Sequence, residues 1–221
     1  MKKLFIVAVM AIAAIGANAQ SKVKAGTWSI QPKAGATITS ITGLDDMNTF
    51  SSYIGTKKES QINVGATIGG EVEYQVDDRF SVAAGVGYIM QGKQWDDFNV
   101  GPVEVQDFKL ELGYVNVPIV ANFYLFKGFA VKAGAQFGFL TNAKMKATEK
   151  NGDHEIKESQ DVKDQLSTFD FSIPVGVSYE FDNHIVIDAR YNLGLTKINE
   201  NGSNSSKNSV IMVTLGYKFA L

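Results

Sequence analysis

The chain has no cysteine, four prolines and two histidines in 221 residues. Without cysteine there is no disulfide framework and no thiolate metal site. With His154 and His184 as the whole imidazole supply, a histidine-based metal centre or general base has little to draw on. No charge sign dominates, since 21 Lys and Arg face 23 Asp and Glu for a formal net charge of −2. A nucleic-acid partner is not expected from such a balance. Long apolar runs are also missing. The one that stands out covers residues 4–15, short of the ~20 residues a spanning helix needs.

That run has a different logic. Lys2 and Lys3 precede it, and Gly16-Ala17-Asn18-Ala19-Gln20 follows, which is the layout of a secretory signal with an A-x-A cleavage site. Cleavage is expected after Ala19, dividing the chain into a signal peptide (1–19) and one mature domain (20–221). Removal takes two of the 21 cations and none of the 23 acids, so the mature charge is 19 − 23 = −4.

Beyond the signal, eight stretches of period-two hydrophobicity can be laid out at 27–39, 61–76, 79–91, 109–125, 128–141, 168–181, 184–197 and 208–220. In the seventh, Ile185, Ile187, Ala189, Tyr191, Leu193 and Leu195 alternate with Asp188, Arg190, Asn192, Gly194 and Thr196. Successive side chains of a strand point to opposite faces, so one face is apolar and the other polar or small. Long polar connections (40–60, 92–108, 142–167, 198–207) alternate with short turns centred on Asp77-Asp78, Phe126-Lys127 and Asp182-Asn183. That asymmetry predicts an eight-stranded antiparallel up-and-down transmembrane β-barrel, with tight periplasmic turns and four outer loops.

A soluble lipocalin-like barrel also alternates, with its apolar face inward. Two features weigh against it. The polar face is loaded with glycine (Gly35, Gly65, Gly69, Gly85, Gly87, Gly134, Gly138, Gly176, Gly194, Gly216), which suits a crowded lumen. Trp28, Tyr74, Phe80, Phe123, Phe129, Tyr179, Phe181, Tyr217 and Phe219 all fall near the short turns or termini, where they would form an interfacial aromatic girdle. A looser second ring would take in Tyr88, Phe137, Phe139, Phe169, Phe171 and Tyr191. The first and eighth strands must pair, because an open edge in hydrocarbon is costly. Pro32, Pro118 and Pro174 fall inside strands and are candidates for bulges. The fourth strand changes phase, from Leu110 and Leu112 to Val115, Val117, Ile119, Ala121 and Phe123, which points to an extra residue near Gly113 or Tyr114.

Four segments then carry a resemblance: Tyr114-Val-Asn-Val-Pro-Ile-Val-Ala-Asn-Phe-Tyr124, Val131-Lys-Ala-Gly-Ala-Gln-Phe-Gly138, Asp188-Ala-Arg-Tyr-Asn-Leu-Gly-Leu195 and Leu215-Gly-Tyr-Lys-Phe219. Over nearly the whole mature chain the sequence resembles the PorT-like small outer-membrane β-barrel proteins of Bacteroidetes. The resemblance implies an outer-membrane barrel in contact with outer-membrane lipid. The namesake of that family takes part in protein secretion, while most members lack a defined activity.

On the inward face Lys33, Lys132, Arg190 and Lys218 stand against Glu71, Glu73, Asp170, Glu180 and Asp188. Opposite charges in a narrow lumen are expected to pair, since an unpaired one carries a large desolvation penalty. Eight strands leave an interior that side chains just fill, so an open pore is not expected. No catalytic residues, metal ligands or cofactor site are assigned. His154 with Asp153 and Ser159 is ordinary loop composition, and Asp45-Asp46 and Asp96-Asp97 lack the spacing of a calcium loop. Phe50, Tyr53, Trp95 and Phe98 in the first two long loops would either cap the mouth or contact an envelope or surface protein. The third loop, mixed in charge over 144–164, is expected to be the most mobile. The sequence thus predicts a structural or surface-interaction role in the outer membrane. A component assisting secretion or transport, a narrow channel and a loop-based enzyme are the alternatives.

Overall fold

The computed structural model describes residues 22–42, 60–61, 63–100, 103–151, 154–198 and 206–221. The expected signal peptide (1–19), Phe50 and Tyr53 lie outside the described residues. The strands are β1 (Trp28–Thr42), β2 (Ser60–Gln61), β3 (Asn63–Gln75), β4 (Phe80–Trp95), β5 (Phe98–Val100), β6 (Val103–Phe126), β7 (Phe129–Asn151), β8 (His154–Asp161), β9 (Phe169–Glu180), β10 (Ile185–Gly194), β11 (Lys207–Tyr217) and β12 (Phe219–Ala220). A 3-10 turn spans Lys163–Gln165.

Eight of these close a ring of antiparallel neighbours in the order β1, β3, β4, β6, β7, β9, β10, β11 and back to β1. The seam joins the two ends of the chain, with Lys33 opposite Gly216 and Thr42 opposite Lys207. Closure leaves the ring itself without an edge, the condition a sheet must meet to span hydrocarbon. The outward face carries aliphatic side chains in the open, among them Val64 at 69% exposure and Ile68 at 65% on β3, with Val86 on the adjacent β4 and Val213 and Leu215 on β11. An exposed apolar belt of this extent is foreign to a water-soluble surface and is what a lipid-facing wall requires.

The short turns carry the backbone signatures of tight reversal. Gly128, at φ +80°, closes β6 onto β7, and His184, at φ +63°, closes β9 onto β10. Asp77 accepts the Arg79 N–H (2.7 Å) and Asn183 the Ile185 N–H (3.2 Å), local bonds that favour a turn over a continuing strand.

The strand prolines do not mark bulges. Each leaves a lapse in one of its two ladders while the register continues. The β1 ladder to the C-terminal strands skips from Ile30↔Phe219 to Lys33↔Gly216 around Pro32. That of β4 with β6 skips from Ala84↔Ile119 to Gly87↔Asn116 around Pro118. That of β7 with β9 skips from Ala133↔Val175 to Gln136↔Ser172 around Pro174. A missing N–H costs ladder bonds without adding a residue, so no shift results. A further lapse, between β3 and β4 beyond Thr67↔Ile89, is bridged from β1. There Thr39 Oγ1 donates to Gly92 O (3.0 Å) and accepts from Gly92 N–H (3.1 Å) and Asn63 Nδ2 (3.0 Å).

The phase change in β6 has another cause than expected. A register shift does occur between Gly113 and Tyr114, but Gly113 pairs with Asn142 and Tyr114 with Leu140, so the extra residue is Thr141 on β7. Its Oγ1 donates to Gly113 O (2.9 Å). Along β6 the even positions from Leu110 to Tyr124 are buried without interruption. The apolar pattern shifts because the filling of the lumen changes, not because the strand turns over.

Two long connections also differ from expectation. Much of 92–108 and 142–167 is sheet: β4, β6 and β7 run on past the barrel, β5 pairs Phe98 with Val105, and β8 pairs Lys144 with Asp161 and Asn151 with His154. The result is a β wall standing on one side of the mouth.

Candidate functional site

Buried charged side chains converge in the lumen, which is filled in three tiers. In the middle tier, Arg190 from β10 bonds both oxygens of Glu71 on β3 (2.6 and 2.8 Å) and both of Asp188 (2.8 and 2.9 Å). Lys33 reaches Glu71 at 2.5 Å and Lys132 reaches Asp188 at 2.5 Å. Three cations thus meet two carboxylates in one buried chain. A two-toothed guanidinium–carboxylate geometry is the strongest form of such a contact. The neighbours leave room for it: a Cβ on Gly85 would strike the Glu71 side chain, and one on Gly176 the Ala189 carbonyl.

The tier nearest the short turns is organised around Glu73. It accepts from Ser81 (2.5 Å), Tyr124 OH (2.8 Å) and Lys218 (2.9 Å), and Lys218 also meets Glu180 at 3.2 Å. Asn122 donates to Ser81 (2.9 Å), while the rim residue His184 stands 3.2 Å from Glu180. Here two carboxylates share one lysine, the reverse of the imbalance above. Asp170 joins neither cluster. It accepts from neutral donors, Thr196 (3.1 Å) and Asn208 (3.2 Å).

At the mouth the filling turns apolar. Ile41, Leu110, Leu112, Tyr114, Leu140 and Ala143 from three strands pack with Val162 and Ile198 from the connections, and Trp95, Met145 and Leu166 lean on them. Backbone bonds hold the two connecting segments over the opening: Val162 N–H to Ala143 O (3.1 Å), Ser167 N–H to Ile198 O (2.9 Å) and Ile198 N–H to Ser206 O (2.9 Å). Lys93, fully buried, donates to Ile41 O (3.4 Å) and lies 5.7 Å from the Trp95 ring. This stopper was not foreseen residue by residue, although Leu110 and Leu112 announced it by breaking phase.

On the outside, the aromatics near the short turns touch in pairs. Trp28 meets Tyr74 (4.8 Å between ring centres), Phe129 stacks on Phe126 (4.6 Å), Tyr179 meets Phe181 (4.9 Å) and Tyr217 meets Phe219 (4.6 Å). Phe80 sits opposite Phe123. All of these nine girdle candidates are outward and at least partly exposed.

Residues 18–200 match the family described as outer membrane protein beta-barrel domain. The chain belongs to that family. Among solved structures this outer-membrane barrel is similar to Ail, the attachment invasion locus protein of Yersinia pestis, at 15% identity and a TM-score of 0.44, covering 89% of this chain and 100% of Ail. It is also similar to Neisserial surface protein A, at 14% identity and a TM-score of 0.42, covering 87% and 97%. OprG of Pseudomonas aeruginosa aligns at 13% identity and 0.42, covering 89% and 97%. No curated protein matches the chain.

Some of the remaining candidates of this outer-membrane barrel fall within the described residues. His154 and Ser159 are five positions apart on extended β8, roughly 17 Å at ~3.3 Å per residue, and Asp153 lies outside the described residues. Asp45 and Asp46 also lie outside them, and Asp97 accepts the Asp107 N–H (3.1 Å) in the outer wall. Trp95 is half-buried and Phe98 only 7% exposed, both turned onto Phe108 at 5.1 and 5.9 Å. Trp95 also leans on the apolar cluster at the mouth. Among the described residues, no group of three or more His, Asp or Glu could hold a metal ion.

Proposed function

We propose that this outer-membrane barrel conducts no solutes and that its work is done outside, by the β wall and the surrounding surface, as a structural element or as a contact for an envelope or surface protein. The observation that carries the reading is the continuous filling of the lumen: the Glu73 cluster, the Arg190 cluster and the apolar stopper are stacked end to end. Each charged tier is paired, so opening a path would mean breaking buried ion pairs at several kcal/mol each. The wall supports display, since Glu155, Lys157, Glu158, Ser159, Gln160 and Asp161 along β8 are all exposed. Placement among the PorT-like barrels of Bacteroidetes, and with it a part in secretion, rests on the four sequence segments quoted above. A non-enzymatic role is favoured by the separation of His154 from Ser159 along β8.

The test is planar-bilayer recording of the refolded, detergent-purified barrel. No unitary current is expected. Reproducible steps in the unmodified protein would overturn the closed reading. They would favour a narrow channel through the small cavity lined by Lys33, Thr67, Asn116, Gln136, Arg190 and Met212. Envelope proteins cross-linked through β8 and identified against a barrel lacking the β7–β8 extension would distinguish interaction from a purely structural role.

A further inference from the structure

The outward face of the β wall carries a cluster of lysines just beyond the apolar belt. On the β6–β7 pair the last lipid-type partners are Val115 and Phe139, and Phe139 meets Phe169 at 5.9 Å between ring centres. Beyond the Thr141 bulge, Glu111 pairs with Lys144 and Lys109 with Lys146. Their side chains face outward, because Leu110, Leu112, Ala143 and Met145 between them belong to the stopper. Glu111 is already taken. It holds Lys109 at 3.2 Å and Lys146 at 2.7 Å, with all three side chains about a third exposed (33%, 28% and 39% for Lys109, Glu111 and Lys146). Lys144, opposite Glu111, is exposed. Asp161 on β8 lies opposite Lys144, and its carboxylate accepts the Lys163 backbone N–H at 2.9 Å. Three ammonium groups therefore share one small area with Glu111 and Asp161, leaving an excess of positive charge.

Height decides what could meet them. Lys144 lies about four residue steps above Phe139, roughly 13 Å along the strand at ~3.3 Å per residue. A strand tilt of about 40° reduces that to roughly 10 Å of rise. Lysine stems can snorkel back toward the interface, so the ammonium groups reach the level at which the polar heads of outer-leaflet lipids begin. The anionic group that such a head presents there is a phosphoryl ester, and paired lysines suit it as point charges.

We propose that Lys109, Lys144 and Lys146 form a binding site for the phosphorylated sugar headgroup of an outer-leaflet glycolipid, which competes with Glu111 for two of the three lysines. The site lies on the membrane-facing side of the wall and leaves the lumen untouched. It stands independently of whether the barrel conducts.

Native mass spectrometry of the full-length barrel in detergent tests this with three probes: a diphosphorylated acyl-glucosamine disaccharide, its dephosphorylated form, and inorganic phosphate. The phosphorylated lipid should bind, and K109Q/K144Q/K146Q should weaken it about tenfold, the effect of ~1.4 kcal/mol of lost attraction, while retaining heat-modifiable gel mobility. Glu111→Gln should tighten binding several-fold by removing the competing carboxylate, a readout that survives if the triple variant fails to fold. Equal affinity for phosphorylated and dephosphorylated lipid, or no change in either variant, would overturn the proposal. Binding of inorganic phosphate as tightly as the lipid would overturn the lipid assignment and leave an ordinary anion patch.

Discussion

Toward the short turns the lumen is filled by carboxylates, ammonium groups and a guanidinium, whereas at the mouth it is filled by Leu110, Leu112, Leu140, Val162 and Ile198. Both regions are buried, and β1, β6 and β7 contribute to both. The polar end is held by directional bonds among residues from distant strands, such as Arg190 to Glu71. The mouth is held by shape and by backbone bonds from the connections laid across it. One end therefore depends on charge balance, and the other on volume.

Substitutions break that comparison in order of size. Arg190→Met should produce the largest loss, about 3–5 kcal/mol, because it strands Glu71 and Asp188 as buried carboxylates. Urea unfolding of the refolded barrel measures it, and replacing Glu71 and Asp188 with amides in the same background should recover part of the loss. Leu112→Ala should cost about 3 kcal/mol as a cavity in the stopper while leaving the charged tiers intact. An effect as large as that of Arg190 would show the mouth to be the firmer half. Thr39→Val should cost about 1–2 kcal/mol, since it leaves Gly92 N–H and O without the hydroxyl that bridges the lapsed β3–β4 ladder. Amide exchange at Gly92 should rise with it.

The smallest effect lies outside the membrane span. Asp182 in the β9–β10 turn is bonded to Lys22 at 2.9 Å. That hydrogen bond, followed by the charges of Lys22 and Lys127, holds its carboxyl below the ordinary value. A depressed pKa means the contact contributes fully above the unfolded carboxylate range and is lost as pH falls through the lowered value. Acidification should therefore free residues 22–24 from the turn, seen as increased proteolysis there at low pH, and Asp182→Asn should abolish the pH dependence.

The same comparison explains what the sequence disclosed. Where the lumen is polar, alternation with an apolar outer face is plain. Asp188, Arg190, Glu71 and Lys33 were legible as an inward set, and so were the eight strands, the seam between the first and last of them, and the turn-side aromatics. Alternation reports a difference between two faces, however, and it fails where both are apolar. Leu110 and Leu112 inward beside Val115 and Val117 outward imitate a strand that has turned over. Only the unbroken burial of even positions shows that it has not. The wall was illegible for a related reason. Lys157, Glu158, Ser159, Gln160 and Asp161 are polar at successive positions and so on both faces, and β8 has no periodicity to distinguish it from a loop. The prolines misled because a lost donor and an added residue leave the same mark in a sequence.

The seam has a kinetic consequence. Lys33 and Gly216 stand side by side, so the contact that closes the ring joins the first and last of its eight strands. Pairings between positions so remote along a chain are slow to form, because loop closure must precede any reward. Until the final strand arrives, the growing sheet carries two raw edges of the kind that recruit stray strands. The last step of assembly is thus the one that ends its vulnerability, and substitutions along β1 and β11 should slow membrane insertion more than their effect on the finished barrel would suggest.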